Sequence, residues 1–336
     1  MTTILDVARE ANVSPSTVSR VLNNSGAISK ATVETVYKAV EKLGYEPNVF
    51  ARNLRKRETH VLMILAPNMT NPYYASIIAG ISDFTRELNY SCFICKTDGD
   101  SYQIKELLSK VLKHQADGAI LLACEKDEKW LNEYRNAFPL VECSEYDPEI
   151  EIPHVCIDNF KAANEAVKYL ISLGHRKIAT ISSVNKHIST ELRMNGYLDA
   201  LREAGIEIDD RYIAYSSVDY SYQSGCNETR RLLSQSNPPT ALFCISDVLA
   251  VAAINTAKEM GFSVPEDFSV IGFDDVEMIT MFAPKLTTVS QPCHEIGMIA
   301  ATLLYRKIMQ EGAVPIETIL PHKLMIRETT RAPKGA

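Results

Sequence analysis

The chain has 336 residues, 46% of them hydrophobic, and a formal net charge of −7. That length and hydrophobic content allow a small domain beside a large, well-buried one and exclude an intrinsically disordered chain. No window of about 18 apolar residues occurs and no charged-then-apolar leader opens the sequence, so neither a membrane span nor export is expected, and a cytoplasmic location follows. The charge is unevenly placed: residues 1 to 60 carry nine Lys/Arg against six Asp/Glu, whereas the rest carry 26 against 36. The basic excess sits at the N-terminal end, where a nucleic acid would lie against an otherwise acidic protein.

Thr3 can cap a first helix with Ile4, Val7, Ala8 and Ala11 on one face. After Asn12-Val13, Ser14 can cap a second helix, Pro15 suits its first position, and Val18, Val21 and Leu22 form its apolar face. A third helix runs from the cap at Ser29 through Val33, Val36, Tyr37, Val40 and Leu43 to Gly44. This is a helix-turn-helix in a three-helix bundle. Ser16, Thr17 and Ser19 are small hydrogen-bonding residues on the second helix, and Arg20 can fork onto the two acceptors of a guanine edge. A bundle that contacts another protein would show the same periodicity.

Next, residues 45–57 join the proline break at Pro47 to a short basic stretch whose large apolar residues are Val49, Phe50 and Leu54. It is too short for a stable isolated helix in water. Read alone, it is either a charged linker or a hinge helix that orders in the minor groove and wedges Leu54 between base pairs.

From Val61 the pattern changes to apolar strands alternating with helices: strand Val61 to Ala66, helix Tyr74 to Leu88, strand Ser91 to Cys95, a helix through Leu107 to Leu112, and strand Ala119 to Ala123. The alternation restarts after Asn159 with a helix to Leu173, strand Lys177 to Ser182, helix Glu191 to Ala204 and strand Tyr212 to Ala214. It continues with a helix near Gly225 to Leu233, strand Ala241 to Ile245, helix Leu249 to Met260 and strand Ser269 to Gly272. Two doubly wound lobes are implied, with the segments after Leu286 crossing between them. Cys92 and Cys95 form a Cys-x-x-Cys inside a strand, where residues three apart point to opposite faces, so neither a metal site nor redox chemistry is expected. No nucleotide loop, metal spacing or nucleophile motif occurs, and no cofactor is implied.

Ligands of such folds bind at the carboxyl ends of the strands. Those ends carry Asn71, Tyr73 and Tyr74 in the first lobe. In the second they carry His187, Ser189 and Arg193, then Tyr220, then Ser246-Asp247, then Asp274-Asp275. Flat rings with a carboxylate and a guanidinium suit a sugar or a nucleoside.

The chain resembles the LacI/GalR family of bacterial transcription regulators along nearly its whole length. The resemblance rests on Asp6-Val7-Ala8, Val13-Ser14-x-x-Thr17-Val18-Ser19-Arg20-Val21-Leu22-Asn23, Leu43-Gly44-Tyr45-x-Pro47-Asn48 and Ala51-Arg52-x-Leu54. It implies an α/β protein with an N-terminal helix-turn-helix domain at 1–46 and a hinge helix at 47–60. A two-lobed periplasmic-binding-protein-like domain of doubly wound parallel sheets follows at 61–336. The first lobe is then about 61–158 plus 290–320, and the second about 159–289 plus 321–336.

The resemblance implies that Pro15, Ser16 and Arg20 read bases of double-stranded operator DNA; Thr17 and Ser19 on the same helix, and Asn48, Ala51, Arg52, Leu54 and Arg55 in the hinge, are expected to contact it as well. It gives Leu54 the intercalating role. Pro15 replaces a polar or aromatic residue common in the family, which limits it to packing contacts. An effector is expected on Asn71, Tyr73, Tyr74, His187, Ser189, Arg193, Tyr220, Asp247 and Asp274, with Arg193 and Asp274 on adjacent hydroxyls. Without apolar heptads at its end, the chain is expected to be a homodimer rather than a tetramer. Pro238 to Cys244 and Ile157-Asp158-Asn159 resemble the nucleoside-sensing cytidine repressor branch, which favours a nucleoside or pentose over a hexose. Control by a protein co-repressor is the alternative. A solute receptor would leave the helix-turn-helix unexplained, and an enzyme would need a nucleophile or metal that no motif supplies.

Overall fold

In the computed structural model, which describes residues 2–22, 25, 27–45 and 58–334, the chain divides into two units, Met1–Thr59 and His60–Ala336. In the first, α1 (Ile4–Glu10) begins with a reciprocal capping box: Asp6 N donates to Thr3 Oγ1 at 3.4 Å, and Thr3 N donates to the Asp6 carboxylate at 2.9 Å. Asn12 turns the chain at φ 53°, a left-handed conformation that asparagine tolerates better than most residues. α2 (Pro15–Leu22) starts where Thr17 N donates to Ser14 Oγ at 3.1 Å. Ser29 caps α3 (Lys30–Leu43), and left-handed Gly44 closes it. Val7, Val18 and Val36, one from each helix, are fully buried at the centre. Pro15, Ser16 and Arg20 remain exposed on α2, and Thr17 and Ser19 are half-buried. The expected hinge residues Asn48, Ala51, Arg52, Leu54 and Arg55 lie outside the described residues.

The second unit holds two sheets. β1 (Val61–Ala66), α4 (Pro72–Glu87), β2 (Ser91–Lys96), α5 (Ser101–Leu112), β3 (Gly118–Leu121), β4 (Leu140–Cys143) and β5 (His154–Ile157) follow in turn. With β11 (Glu317–Leu320) these strands make an all-parallel sheet of order β11-β5-β4-β3-β1-β2. The second lobe contains α6 (Asn159–Ser172), β6 (Ile178–Ser183), α7 (Ile188–Glu203), β7 (Ile213–Ser216) and α8 (Tyr222–Leu233). It continues with β8 (Ala241–Cys244), α9 (Asp247–Glu259), β9 (Ser269–Asp274), β10 (Thr287–Ser290) and the short β12 (Lys323–Met325). Its strand order is β12-β10-β9-β8-β6-β7, with β12 antiparallel to β10. Every residue of β3, β4, β5, β8 and β9 is buried; β3 and β8 therefore read as continuous apolar runs in the sequence, whereas Glu142 in β4 and His154 in β5 break the pattern there.

The chain passes between the lobes three times: from β5 to α6, from β10 to α10 (Cys293–Ile308), and from β11 to β12. α10 returns to the first lobe and crosses α4 at very short range. A Cβ on Gly297 would lie 2.1 Å from the Ile77 carbonyl oxygen, so only glycine permits the crossing that fixes α4 and the tyrosines at its start. Cys92 meets Thr85 of α4, whereas Cys95 packs with the cluster under α5, so the pair faces opposite sides of the sheet. Two boundaries differ from expectation in ways that matter below. α7 starts at Ile188 rather than Glu191, and β4 and β5 form strands that the sequence pattern did not single out. Among the described residues no helix is long and apolar enough to cross a membrane.

Candidate functional site

Asn71, Tyr73, Tyr74, Glu145, Ser189, Arg193, Tyr220, Ser246 and Asp274 converge on a cleft between the two lobes with only about 20 Å³ of free volume. That is room for roughly one water. The Asn71 side chain accepts from Tyr73 N at 3.0 Å and so starts α4, turning Tyr73 and Tyr74 inward. The two rings meet edge to face, and Tyr73 OH donates to Ser144 Oγ at 2.7 Å. Burial raises both phenols well above their usual range, which keeps them neutral hydrogen-bonding groups.

Arg193 projects from α7 into a fixed frame. Its Nε donates to Asn159 Oδ1 at 2.8 Å, its Nη1 to the Ile245 carbonyl at 2.7 Å, and the Asp274 carboxylate lies 3.9 Å from Nη1. The guanidinium carbon sits 3.7 Å from the Phe273 ring centroid, a cation–π contact. Asp274 accepts from Gln291 at 2.8 Å, and burial raises its carboxyl to about 7 against the pull of Arg193. Its φ of 121°, with 59° at Asp275 and 54° at Tyr220, concentrates non-glycine strain around the cleft. A guanidinium beside a carboxylate, walled by phenols, matches a polyhydroxylated ring.

Two expectations need correction. Asp247 does not reach the cleft. Ser246 caps α9, and the next residue turns inward, where Asp247 accepts from Val276 N at 3.0 Å and Thr288 Oγ1 at 2.6 Å. A Cβ on Gly272 would lie 2.4 Å from the Asp247 carboxylate, so glycine is what lets this acid press against β9. Burial and the nearby Asp274 hold its carboxyl well above the usual range, and its role is to tie α9 to β9 and β10. His187 is also displaced, because α7 begins just after it. It lines an outer chamber of about 360 Å³ with Lys126, Ser182, Thr190 and Tyr215 instead of the cleft. Arg193 and Asp274 do stand in the cleft, and protein groups hold them in place beside each other.

Glu145 and Gln291 were not anticipated, and Ser246 was noted at a strand end but not placed among the effector residues. Glu145 follows β4 in the first lobe and reaches across to α7, accepting from Ser189 N at 3.1 Å and from Ser189 Oγ. A Lys126–Glu191 ion pair and a 3.1 Å bond from Lys126 N to the Lys186 carbonyl also join the lobes. No apolar run flags Glu145, because β4 is the short Leu-Val-Glu-Cys with an acid inside it.

In the first unit, Ser14 Oγ gathers the hydroxyls of Ser16 at 2.7 Å and Thr17 at 2.8 Å, so the cap and the start of the outward face share one hydrogen-bonded cluster. Arg20, one turn further along, is exposed and carries no ion pair among the described residues. It is therefore available to a base edge.

A helix-turn-helix with an unengaged arginine, carried on the same chain as a two-lobed α/β body with a polar interlobe cleft, defines a DNA-binding regulator. Residues 3–48 match the family model for bacterial regulatory proteins of the lacI family, and residues 167–330 match the periplasmic binding protein-like domain. The transcriptional repressor CytR of Escherichia coli (strain K12) is 37% identical over 331 residues, covering 98% of this chain and 96% of that protein. Catabolite control protein A of Priestia megaterium is 35% identical over 331 residues, covering 98% and 99%. Among solved structures, the lac repressor dimer bound to operator and the anti-inducer ONPF aligns with a TM-score of 0.88 at 26% identity, covering 98% and 99%. The complex of the regulator CelR with cellobiose aligns at 0.73 with 31% identity, covering 98% and 100%. The chain belongs to the LacI family of bacterial transcription regulators. It is a regulator rather than an enzyme.

Proposed function

We propose that this protein represses transcription in the cytoplasm by binding a near-palindromic operator as a homodimer, and that a sugar or nucleoside entering the interlobe cleft controls that binding. The domain roles follow: residues 1–46 read the operator, 47–60 form the hinge, and 61–336 bind effector and dimerise. The observation that carries the effector reading is the buried Arg193–Asp274 pair beside Tyr73, Tyr74 and Tyr220, in a cleft with almost no free volume. The lobes must part for a ligand to enter. Effector and operator affinities then depend reciprocally on the relation between the lobes. The repressor CytR and the sugar-bound CelR complex support this assignment by similarity.

The test is a thermal-shift screen of the full chain against nucleosides, pentoses and hexoses, followed by operator titration with each hit. A ligand at 100 times its dissociation constant should add about 2.7 kcal/mol. A hit that leaves operator affinity unchanged would overturn the coupling. For the DNA-binding unit, Arg20→Ala should lose about 1–3 kcal/mol on the operator while retaining nonspecific binding. Equal losses on random DNA would place Arg20 on phosphate.

Similarity to catabolite control protein A raises the alternative of a protein co-repressor. On α10, Arg306 donates to the carbonyls of Glu311 and Ala313, and burial lowers the Lys307 amine, so this basic end is partly committed to its own chain.

A further inference from the structure

Two carboxylates, Glu145 and Asp274, line the cleft, while Arg193 is the one cation among its lining residues. That cation is committed to Asn159, to the Ile245 carbonyl, to Asp274 and to the Phe273 ring. The other position that would attract an anion is the start of α7. This helix has 16 residues, and the residue before it, His187, supplies no side-chain cap, so its first amides favour negative charge. Glu145 already fills that position from the opposite lobe. It is 6% exposed and is held by Ser189 N at 3.1 Å and by Ser189 Oγ.

We infer that Glu145 is a built-in anion that reserves the start of α7, so that the cleft selects uncharged or cationic ligands rich in O–H and N–H donors and rejects their phosphate esters. The inference rests on reading the cleft as the effector site. A phosphate ester has two ways in, both unfavourable. It can displace Glu145 and leave a buried carboxylate without its donors, or it can lie beside two carboxylates as a further negative charge. Hydroxyl and amino groups meet the opposite situation. Each Glu145 oxygen accepts one bond at present, and an ionised carboxylate has about four lone-pair sites, so donors from a ligand can be added without removing Ser189.

The experiment titrates the full chain by thermal shift with three pairs: cytidine and cytidine 5′-monophosphate, ribose and ribose 5-phosphate, glucose and glucose 6-phosphate. Any pair that binds should favour the free compound by at least about tenfold, and Glu145→Gln should narrow that preference to about threefold or less. A phosphate ester that binds wild type as well as its parent compound overturns the inference. A second arm needs no effector. Glu145→Ala titrated with sodium formate at constant ionic strength should show a saturable rise in Tm, because formate takes the empty place beside Ser189, whereas wild type should show none. Equal responses, or none in the variant, overturn the role given to Glu145, and Glu145→Ser, which also leaves the place beside Ser189 empty, serves if the alanine variant does not fold. If none of the six compounds binds but formate still distinguishes the variant, the sugar or nucleoside reading fails while the assignment of Glu145 stands.

Discussion

The two lobes bury charge in opposite ways. In the second, each inward acid has partners: Asp247 accepts from Val276 N and Thr288 Oγ1, and Asp274 accepts from Gln291 beside Arg193. In the first, Glu142 on β4 is fully buried and, among the described residues, is held only weakly, by the Cys124 thiol and the Asp147 backbone. Burial raises its carboxyl to about 8, so it folds as the neutral acid. The second lobe is thus a preorganised hydrogen-bonded frame around Arg193, whereas the first contributes the phenol walls and one reaching carboxylate, Glu145. The cleft thus takes its charged pair, Arg193 and Asp274, from the second lobe, and Tyr73, Tyr74 and Glu145 from the first.

The largest effect expected from breaking this contrast is Arg193→Ala. It leaves Asn159, the Ile245 carbonyl and Asp274 without their shared donor in a buried site, and should cost about 3–5 kcal/mol in urea unfolding. A loss below about 1 kcal/mol would show that the frame is not structural. A second measurement concerns pH. Folding raises Glu142 from 4.5 to about 8 and Asp274 from 3.8 to about 7, so the folded state binds more protons than the unfolded state in these windows. Stability therefore falls as pH rises from about 4 to 8. Glu142→Gln should remove its part of that slope up to about pH 8, and Asp274→Asn its part up to about 7. Unchanged slopes would mean that both acids fold ionised. The smallest effect belongs to the neutral wall: Tyr73→Phe loses one hydrogen bond to Ser144 and should cost about 0.5–1.5 kcal/mol.

What was legible in the sequence follows the same division between local and long-range causes. The caps at Thr3, Ser14 and Ser29 and the stop at Gly44 act within a few residues of themselves, so the bundle could be read directly. Arg193 and Asp274 stand near apolar runs long enough to mark their strands and helices. Asp247 misled because one residue of helix phase decides whether it or Ser246 faces the cleft. His187 misled because α7 opens three residues earlier than its apolar periodicity suggested. Glu145 was invisible for another reason: β4 is four residues long, and the partner that gives the acid its purpose, Ser189, is 44 residues away.

The three passes between the lobes also bear on the order in which the chain can fold during synthesis. Neither sheet is a continuous stretch of sequence: β11 completes the first at Leu320 and β12 the second at Met325. α10, which covers α4, is not made until residues 293–308. The core of the N-terminal bundle is in place once residue 45 has been added. On the ribosome, the DNA-reading unit can mature early, while both lobes stay unfinished until residues 317–325 have been added.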